Sequence, residues 1–273
     1  MKWLQAIQNK FPQHKYAINA ELLGDDTECA WTNLGYWDDA TSSYTVACQQ
    51  LAEHLAQAVQ LQSQDRVLDL GCGQGASLKY WLEHYQIQDL EAVELQQNCV
   101  NKIQQHIQLN AIHCQSFLDL QQISFKNRFD VVMCIDAAYH SDLNLFLNSA
   151  NSVLNHKGRL GFHYLILSEQ VLSFQKKLKY AWLLKAADVN FDHLKKQVQI
   201  QQQLQQQGFG AVHIQDISEQ VLQGFSHYIS KQLLNLQQRG MDHFKIQMTA
   251  KLCRTLFEDG IVRYVQISAR KDK

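Results

Sequence analysis

Nine consecutive residues, Val67-Leu68-Asp69-Leu70-Gly71-Cys72-Gly73-Gln74-Gly75, carry the strongest chemical signal in the chain. A short branched apolar run leads straight into three glycines, and helical periodicity follows them. Glycines let the backbone turn tightly and approach a ligand, and the helix beyond presents backbone N–H groups that lack intrahelical partners. Such a turn cradles a nucleotide. Glu94 closes the next apolar run, 19 residues beyond Gly75, the separation at which a second-strand carboxylate accepts hydrogen bonds from ribose hydroxyls. Gly71, Gly73 and Ala76 also satisfy the G-x-G-x-x-G/A pattern of nicotinamide-dependent dehydrogenases. Asp69 bears on the choice between cofactors. A carboxylate at the end of an otherwise apolar strand is costly unless paired, and a cationic amino group on the ligand would pair it.

The elements that must position these residues alternate along the chain. Apolar runs of strand length occupy 66–70, 91–95, 131–135 and 160–165, with later ones at 211–214 and 262–269. Between them lie helical stripes: Leu78, Trp81, Leu82 and Tyr85; Val100, Ile103 and Ile107; Leu143, Phe146, Ala150, Val153 and Leu154. A helix over 44–59 leads into this core, with Tyr44, Ala47, Cys48, Leu51, Leu55 and Val59 as its apolar face. Alternation of strand and helix implies right-handed crossovers and a mostly parallel sheet covered on both faces. The stretch 168–207 reads as a helical cap, rich in Lys and Gln. Two further helices are expected, one with Val221, Phe225, Tyr228 and Ile229, the other with Met241, Phe244, Met248 and Leu252. The expected organisation is therefore an N-terminal helical segment over the cofactor site (1–60), a cofactor-binding core (61–167), a helical cap (168–207) and a C-terminal completion of the sheet (208–273).

With Asp69 included, the first motif resembles the D-x-G-x-G-x-G of class I S-adenosylmethionine-dependent methyltransferases, and it matches every defined position. The resemblance extends over 35–271. Phe129-Asp130-Val131-Val132 looks like the family's entry to the fourth strand, 154–160 resembles its V-L-K-P-G-G-x-L turn, and 264–271 resembles its terminal strand. It implies a Rossmann-like α/β fold with a seven-stranded sheet, S-adenosylmethionine as cofactor and S-adenosylhomocysteine as product. It places Asp69 beside the methionine end, Gly71, Cys72 and Gly73 against the cofactor, and Glu94 on the ribose with Leu95 next to it. Gln115-Ser116-Phe117 falls where the family commonly has G-D-A. The acidic contact to adenine is thereby lost, but the Ser116 hydroxyl can still accept that hydrogen bond, and Phe117 is suited either to packing on the ring or to the core.

Cys134-Ile135-Asp136-Ala137-Ala138-Tyr139-His140 follows the fourth strand, where open parallel sheets bind ligands beyond strand carboxyl ends. Asp136 is expected at the cofactor and Tyr139 on the acceptor side. His140 resembles the histidine that closes this motif in phosphoethanolamine and sugar O-methyltransferases, which implies a general base or a loop hydrogen bond. An imidazole suits proton removal near neutral pH. Asn33-Leu34-Gly35-Tyr36-Trp37 resembles a segment that folds over the cofactor in such enzymes, and His163 at the end of a strand is a further candidate for the acceptor pocket. The expected reaction is in-line methyl transfer to a small-molecule hydroxyl or amine, with 168–207 closing over the acceptor. A noncatalytic cofactor-binding protein is the alternative, and a dehydrogenase ranks below it. Nucleic-acid amino-methylating enzymes carry a proline pair and an aromatic after the fourth strand, whereas this chain has only Pro12.

Bulk properties agree with a packed globular protein. The chain has 273 residues, 46% of them apolar, and 25 basic against 26 acidic side chains provide no field to hold a polyanion. Lys176, Lys177, Lys179, Lys185, Lys195 and Lys196 cluster, but lysines at helical spacing usually form a solvated face. Seven scattered cysteines without C-x-x-C spacing read as reduced thiols, and the histidines show no metal-ligand spacing. Residues 1–11 lack a signal-peptide core and no apolar run is long enough to span a bilayer, so a cytoplasmic protein without membrane insertion is expected. The oligomeric state is left open.

Overall fold

The computed structural model describes residues 18–233 and 240–272; the expectation for 1–11, and part of the segment 1–60, lie outside them. Strands β1 (Arg66–Leu70), β2 (Asp89–Glu94), β3 (Ala111–Cys114), β4 (Phe129–Cys134), β5 (Leu154–Leu167), β6 (Phe209–Asp216) and β7 (Val262–Lys271) form one sheet in the order β3-β2-β1-β4-β5-β7-β6. The first five positions in that order pair in parallel, and β7 runs antiparallel between β5 and β6. This is the Rossmann-like seven-stranded architecture expected.

Among the described residues there are eight α-helices: α1 (Tyr44–Ala58), α2 (Ala76–His84), α3 (Gln97–His106), α4 (Leu143–Val153), α5 (Phe174–Ala186), α6 (Gln197–Gln206), α7 (Gly224–Leu233) and α8 (Met241–Asp259). Two apolar cores result, one on each face of the sheet. Leu51 and Leu55 of α1, Leu78 and Trp81 of α2 and Phe225 of α7 join one; Phe146 of α4 and Ile200 and Leu204 of α6 join the other. The inner strands are apolar on both sides because both faces are covered. Strand order reverses between β1 and β4, which opens the crevice where such sheets take ligands.

Two expectations need correction. The helical stretch 168–207 is two helices with different duties. The Ile200 and Leu204 side chains of α6 are fully buried, so α6 is a sheet-covering crossover between β5 and β6, while α5 buries Tyr180 and Leu184 in the core on the other face. The stripe Met241, Phe244 and Met248 of α8 faces outward; the buried face is His243, Ile246, Ala250, Cys253 and Leu256. Both stripes have helical spacing, and the small and polar members hide the buried one from a reading based on large apolar residues. No helix among the described residues is long and apolar enough to cross a membrane.

Candidate functional site

β1 delivers its chain end to the crevice through a loop whose glycines have left-handed φ values, +68° at Gly71 and +56° at Gly73. A side chain is excluded there on two counts. The conformation disfavours a Cβ, and one would meet the Ala137 Cβ at 3.0 Å from Gly71 or the Thr32 Oγ1 at 3.1 Å from Gly73. Glu94, buried at the end of β2, is held by the loop it faces: the Gly73 N–H donates to Oε2 (2.9 Å) and the Gln96 N–H to Oε1 (2.9 Å). Each oxygen keeps acceptor capacity for a hydroxyl. Cys72 lies between the two glycines and borders the same cleft.

Asp69 is buried at the penultimate position of β1, and the Trp81 Nε1–H of α2 donates to its Oδ2 at 2.7 Å. Burial pushes the carboxyl up to about 6, against the opposing hydrogen bonds from Ser77 and Trp81. The protein therefore supplies the partner that sequence reasoning sought in a ligand cation. The raised proton affinity still leaves the site receptive to positive charge.

The far wall of the cleft is the N-terminal segment at residues 30–33, joined by Ala76, Ser77 and Ile135. Tyr36 and Trp37 lie just beyond this wall and pack elsewhere. Tyr36 lies against His54 (ring centroids 4.1 Å apart), Trp37 stacks on Tyr228 (4.2 Å), and the Trp37 Nε1–H donates to Leu34 O at 2.8 Å. Phe117 approaches Gly71, where an added Cβ would meet its ring at 3.5 Å, and its ring also packs edge-on against Phe146. The Ser116 Oγ accepts the Leu118 N–H at 3.1 Å, and Leu95 is exposed beside Glu94.

At the end of β4, half-buried Asp136 adopts φ +52° and gathers three donors. The Tyr139 and Tyr264 hydroxyls donate to Oδ1 at 2.8 and 2.7 Å, and the Leu34 N–H donates to Oδ2 at 3.1 Å. Desolvation raises this carboxyl to about 6, with the three hydrogen bonds opposing. Leu34 and Tyr264 were not among the sequence candidates. Their signal is topological: β7 pairs with β5 in the register that places Tyr264 opposite Leu165, which brings it to the β4–β5 side of the crevice. The Asp136 N–H donates to Nδ1 of fully buried His163 at 3.4 Å, so the His163 proton sits on Nε2, 3.4 Å from Gln266 Oε1. Burial pushes this imidazole down to about 3 and keeps it neutral. His140 lies beside Tyr139 (ring centroids 4.5 Å apart), and its Nδ1 meets Asp188 O at 3.1 Å, just beyond α5. Among the described residues, no group of three or more His, Cys, Asp or Glu comes together to hold a metal.

Residues 22–267 match the family model described as mycolic acid cyclopropane synthetase. The chain is 41% identical over 76 residues to erythromycin 3''-O-methyltransferase of Saccharopolyspora erythraea, a match that spans a quarter of that enzyme's length (25%) and 26% of this chain. It is 22% identical over 247 residues to 27-O-demethylrifamycin SV methyltransferase of Amycolatopsis mediterranei, covering 87% of this chain and 88% of that one. Two solved structures share the fold. A mycolic acid cyclopropane synthase complexed with SAH and CTAB has a TM-score of 0.70 at 18% identity, covering 96% of this chain and all (100%) of that one. Geranyl diphosphate C-methyltransferase of Streptomyces coelicolor, with S-adenosyl-L-homocysteine, has a TM-score of 0.72 at 15% identity and 97% coverage of both chains.

Proposed function

The chain belongs to the mycolic acid cyclopropane synthetase family of S-adenosylmethionine-dependent methyltransferases, and from that premise we propose that it methylates a hydroxyl or amine of a small molecule by in-line displacement. Membership sets aside the nicotinamide alternative. The observation that carries the reading is that Asp69, Gly71 and Cys72 line one cleft, with Glu94 bonded to the glycine loop at Gly73 and Asp136 at the adjoining strand end.

The residues fit the cofactor. Backbone space at Gly71 and Gly73, which any Cβ would fill, admits close approach. Glu94 would hold ribose hydroxyls, Asp69 the amino-acid end, and Leu95, Ser116 and Phe117 the adenine. When bound, S-adenosylmethionine supplies a methyl group already activated on a positively charged sulfur. The protein's task is then alignment, exclusion of water and management of the acceptor's proton. We assign the proton to His140. Asp136, fixed by Tyr139, Tyr264 and Leu34, supplies negative charge on the same side and ties the N-terminal wall to β4. Tyr139 orients acceptor and carboxylate together, and buried His163 acts through the Asp136 backbone.

Calorimetric titration with S-adenosylhomocysteine tests the reading, using wild type and Glu94→Ala. Saturable binding weakened at least about tenfold by the substitution is expected, on the scale of lost hydrogen bonds to a charged group. Absence of binding by folded wild type would overturn it. His140→Ala should then depress turnover of an identified acceptor far more than cofactor affinity, and equal turnover would remove His140 as the base. We place the enzyme in the cytoplasm, where free thiols persist.

A further inference from the structure

Helix α5 has two apolar faces, and only one of them is covered. Tyr180 and Leu184 are fully buried against the rest of the molecule, and the Tyr180 hydroxyl donates to Asp259 at the end of α8. Phe174, Leu178 and Trp182 follow each other at four-residue steps, which places them in one stripe on a different face. They are 75%, 57% and 72% exposed, and Val171 just before the helix is 94% exposed. Isolated exposed apolar residues need no explanation, but a stripe of three large ones along a single helix does.

The charges around the stripe say what would cover it. α5 carries Lys176, Lys177, Lys179 and Lys185, all exposed, and no acidic residue. Lys179 is engaged by Asp259 at 2.9 Å; at about 100° per residue Lys185 falls within the stripe and Lys177 beside it, whereas Lys176 lies on the opposite side of the helix. A second copy of this chain is a poor occupant, because an isologous contact along the stripe would bring two lysine-rich rims together. An anionic phospholipid surface answers both features. Phe, Leu and Trp enter the headgroup and acyl boundary, lysine stems extend beside them, and the ammonium groups meet phosphates. With 13 residues the helix is about 20 Å long, so it lies on a bilayer and does not cross it.

We propose that α5 docks the protein on anionic membrane surfaces through Phe174, Leu178 and Trp182, with Lys177 and Lys185 reading lipid charge. The chain leaving α5 reaches Asp188, whose carbonyl meets His140 at 3.1 Å, so the docking helix is joined directly to the loop after β4. This goes beyond the methyltransferase reading and does not depend on it.

The test is co-sedimentation of the full chain with vesicles of phosphatidylcholine alone and of equal parts phosphatidylcholine and phosphatidylglycerol, at low and high salt. Expected is binding to the anionic vesicles only, weakened by salt. F174S/L178S/W182S should reduce it at least about tenfold, and K177Q/K185Q should remove the preference for anionic over neutral vesicles. S-adenosylhomocysteine binding and thermal midpoint should stay unchanged in both variants, which separates loss of docking from loss of fold or of the cofactor site. Failure of wild type to bind anionic vesicles would overturn the proposal, as would wild-type affinity in the triple-serine variant. A wild-type dimer that the triple-serine variant converts to monomer would likewise overturn it and give the face to a second copy.

Discussion

Leu34 and Asp136, separated by 102 residues, meet where the Leu34 N–H donates to Asp136 Oδ2 at 3.1 Å. The contact fastens residues 30–33, one wall of the cleft beyond β1, to the end of β4. Because Oδ1 also accepts from Tyr139 and Tyr264, one carboxylate holds the wall, the loop after β4 and β7 together. Asp136→Ala is therefore expected to loosen the wall and leave two tyrosine hydroxyls and an amide to find other partners. A stability loss of about 2 kcal/mol is expected, less than the sum of three hydrogen bonds because desolvation of the carboxylate is relieved. Amide exchange across residues 31–37 should accelerate and S-adenosylhomocysteine should bind about tenfold more weakly. Unaltered exchange in that segment would mean that the wall is held by its own packing.

Asp69 predicts how cofactor affinity follows pH. Its native carboxyl titrates near 6, above an unfolded value near 4. The native state therefore takes up the proton first, and the ionised group costs stability as pH rises from about 4 to 6, up to about 3 kcal/mol above that window. A ligand carrying an ammonium group favours the ionised form, so binding releases a proton below pH 6. S-adenosylhomocysteine should bind about tenfold more weakly at pH 5 than on the plateau above pH 7, and Asp69→Asn should flatten the profile. Trp81→Phe removes a hydrogen bond that favours the carboxylate, so it should move the profile to higher pH. Calorimetry from pH 5 to 8 decides; an affinity that stays level in wild type contradicts the assignment.

The glycine turn and the Glu94 that meets it could be read from sequence because their residues are consecutive or a fixed step apart. Gly71, Gly73 and Glu94 sit on one βαβ unit, whose geometry varies little, and β1 begins and ends where its apolar run does. The cluster around Asp136 is assembled from Leu34, Tyr139, His163 and Tyr264, which only the full sheet order brings together. β3 gave no apolar run because its side chains are half-buried or exposed at the sheet edge. The Asp69–Trp81 pair was missed for a different reason. A buried carboxylate invites a search for a cation, whereas the indole N–H lay on the next helix, at a position counted as core.

Gly73 and Gly75 should fail in different ways. At Gly73 a methyl group would meet the Thr32 Oγ1 in the cleft wall, and at Gly75 it would strike Ile103 and Ile107 at 2.8 and 2.9 Å, with φ +93°. Gly73→Ala should cost about 1 kcal/mol through backbone strain and abolish the thermal shift given by S-adenosylhomocysteine. Gly75→Ala combines that strain with overpacking against α3 and should cost about 3 kcal/mol. Urea unfolding measures both, and equal losses would show that the loop glycines serve backbone conformation alone.

His163 should remain neutral throughout the working range. Held between the Asp136 N–H and Gln266, it titrates near 3, whereas the unfolded chain's imidazole takes up its proton near 6.5. Its sign is opposite to that of Asp69: stability is fully present above pH 6.5 and is lost as pH falls toward 3, by about 1.4 kcal/mol per pH unit. His163→Asn places an amide oxygen near the Nδ1 position and so keeps an acceptor for the Asp136 N–H while removing the titration. The stability advantage of wild type over this variant should therefore shrink by about 2 kcal/mol between pH 7.5 and 5, as measured by urea unfolding at the two values. A constant difference would mean that His163 accepts its proton in the folded protein. The ring Cε1–H resonance distinguishes these outcomes independently, since a neutral buried imidazole leaves it unmoved down to pH 5.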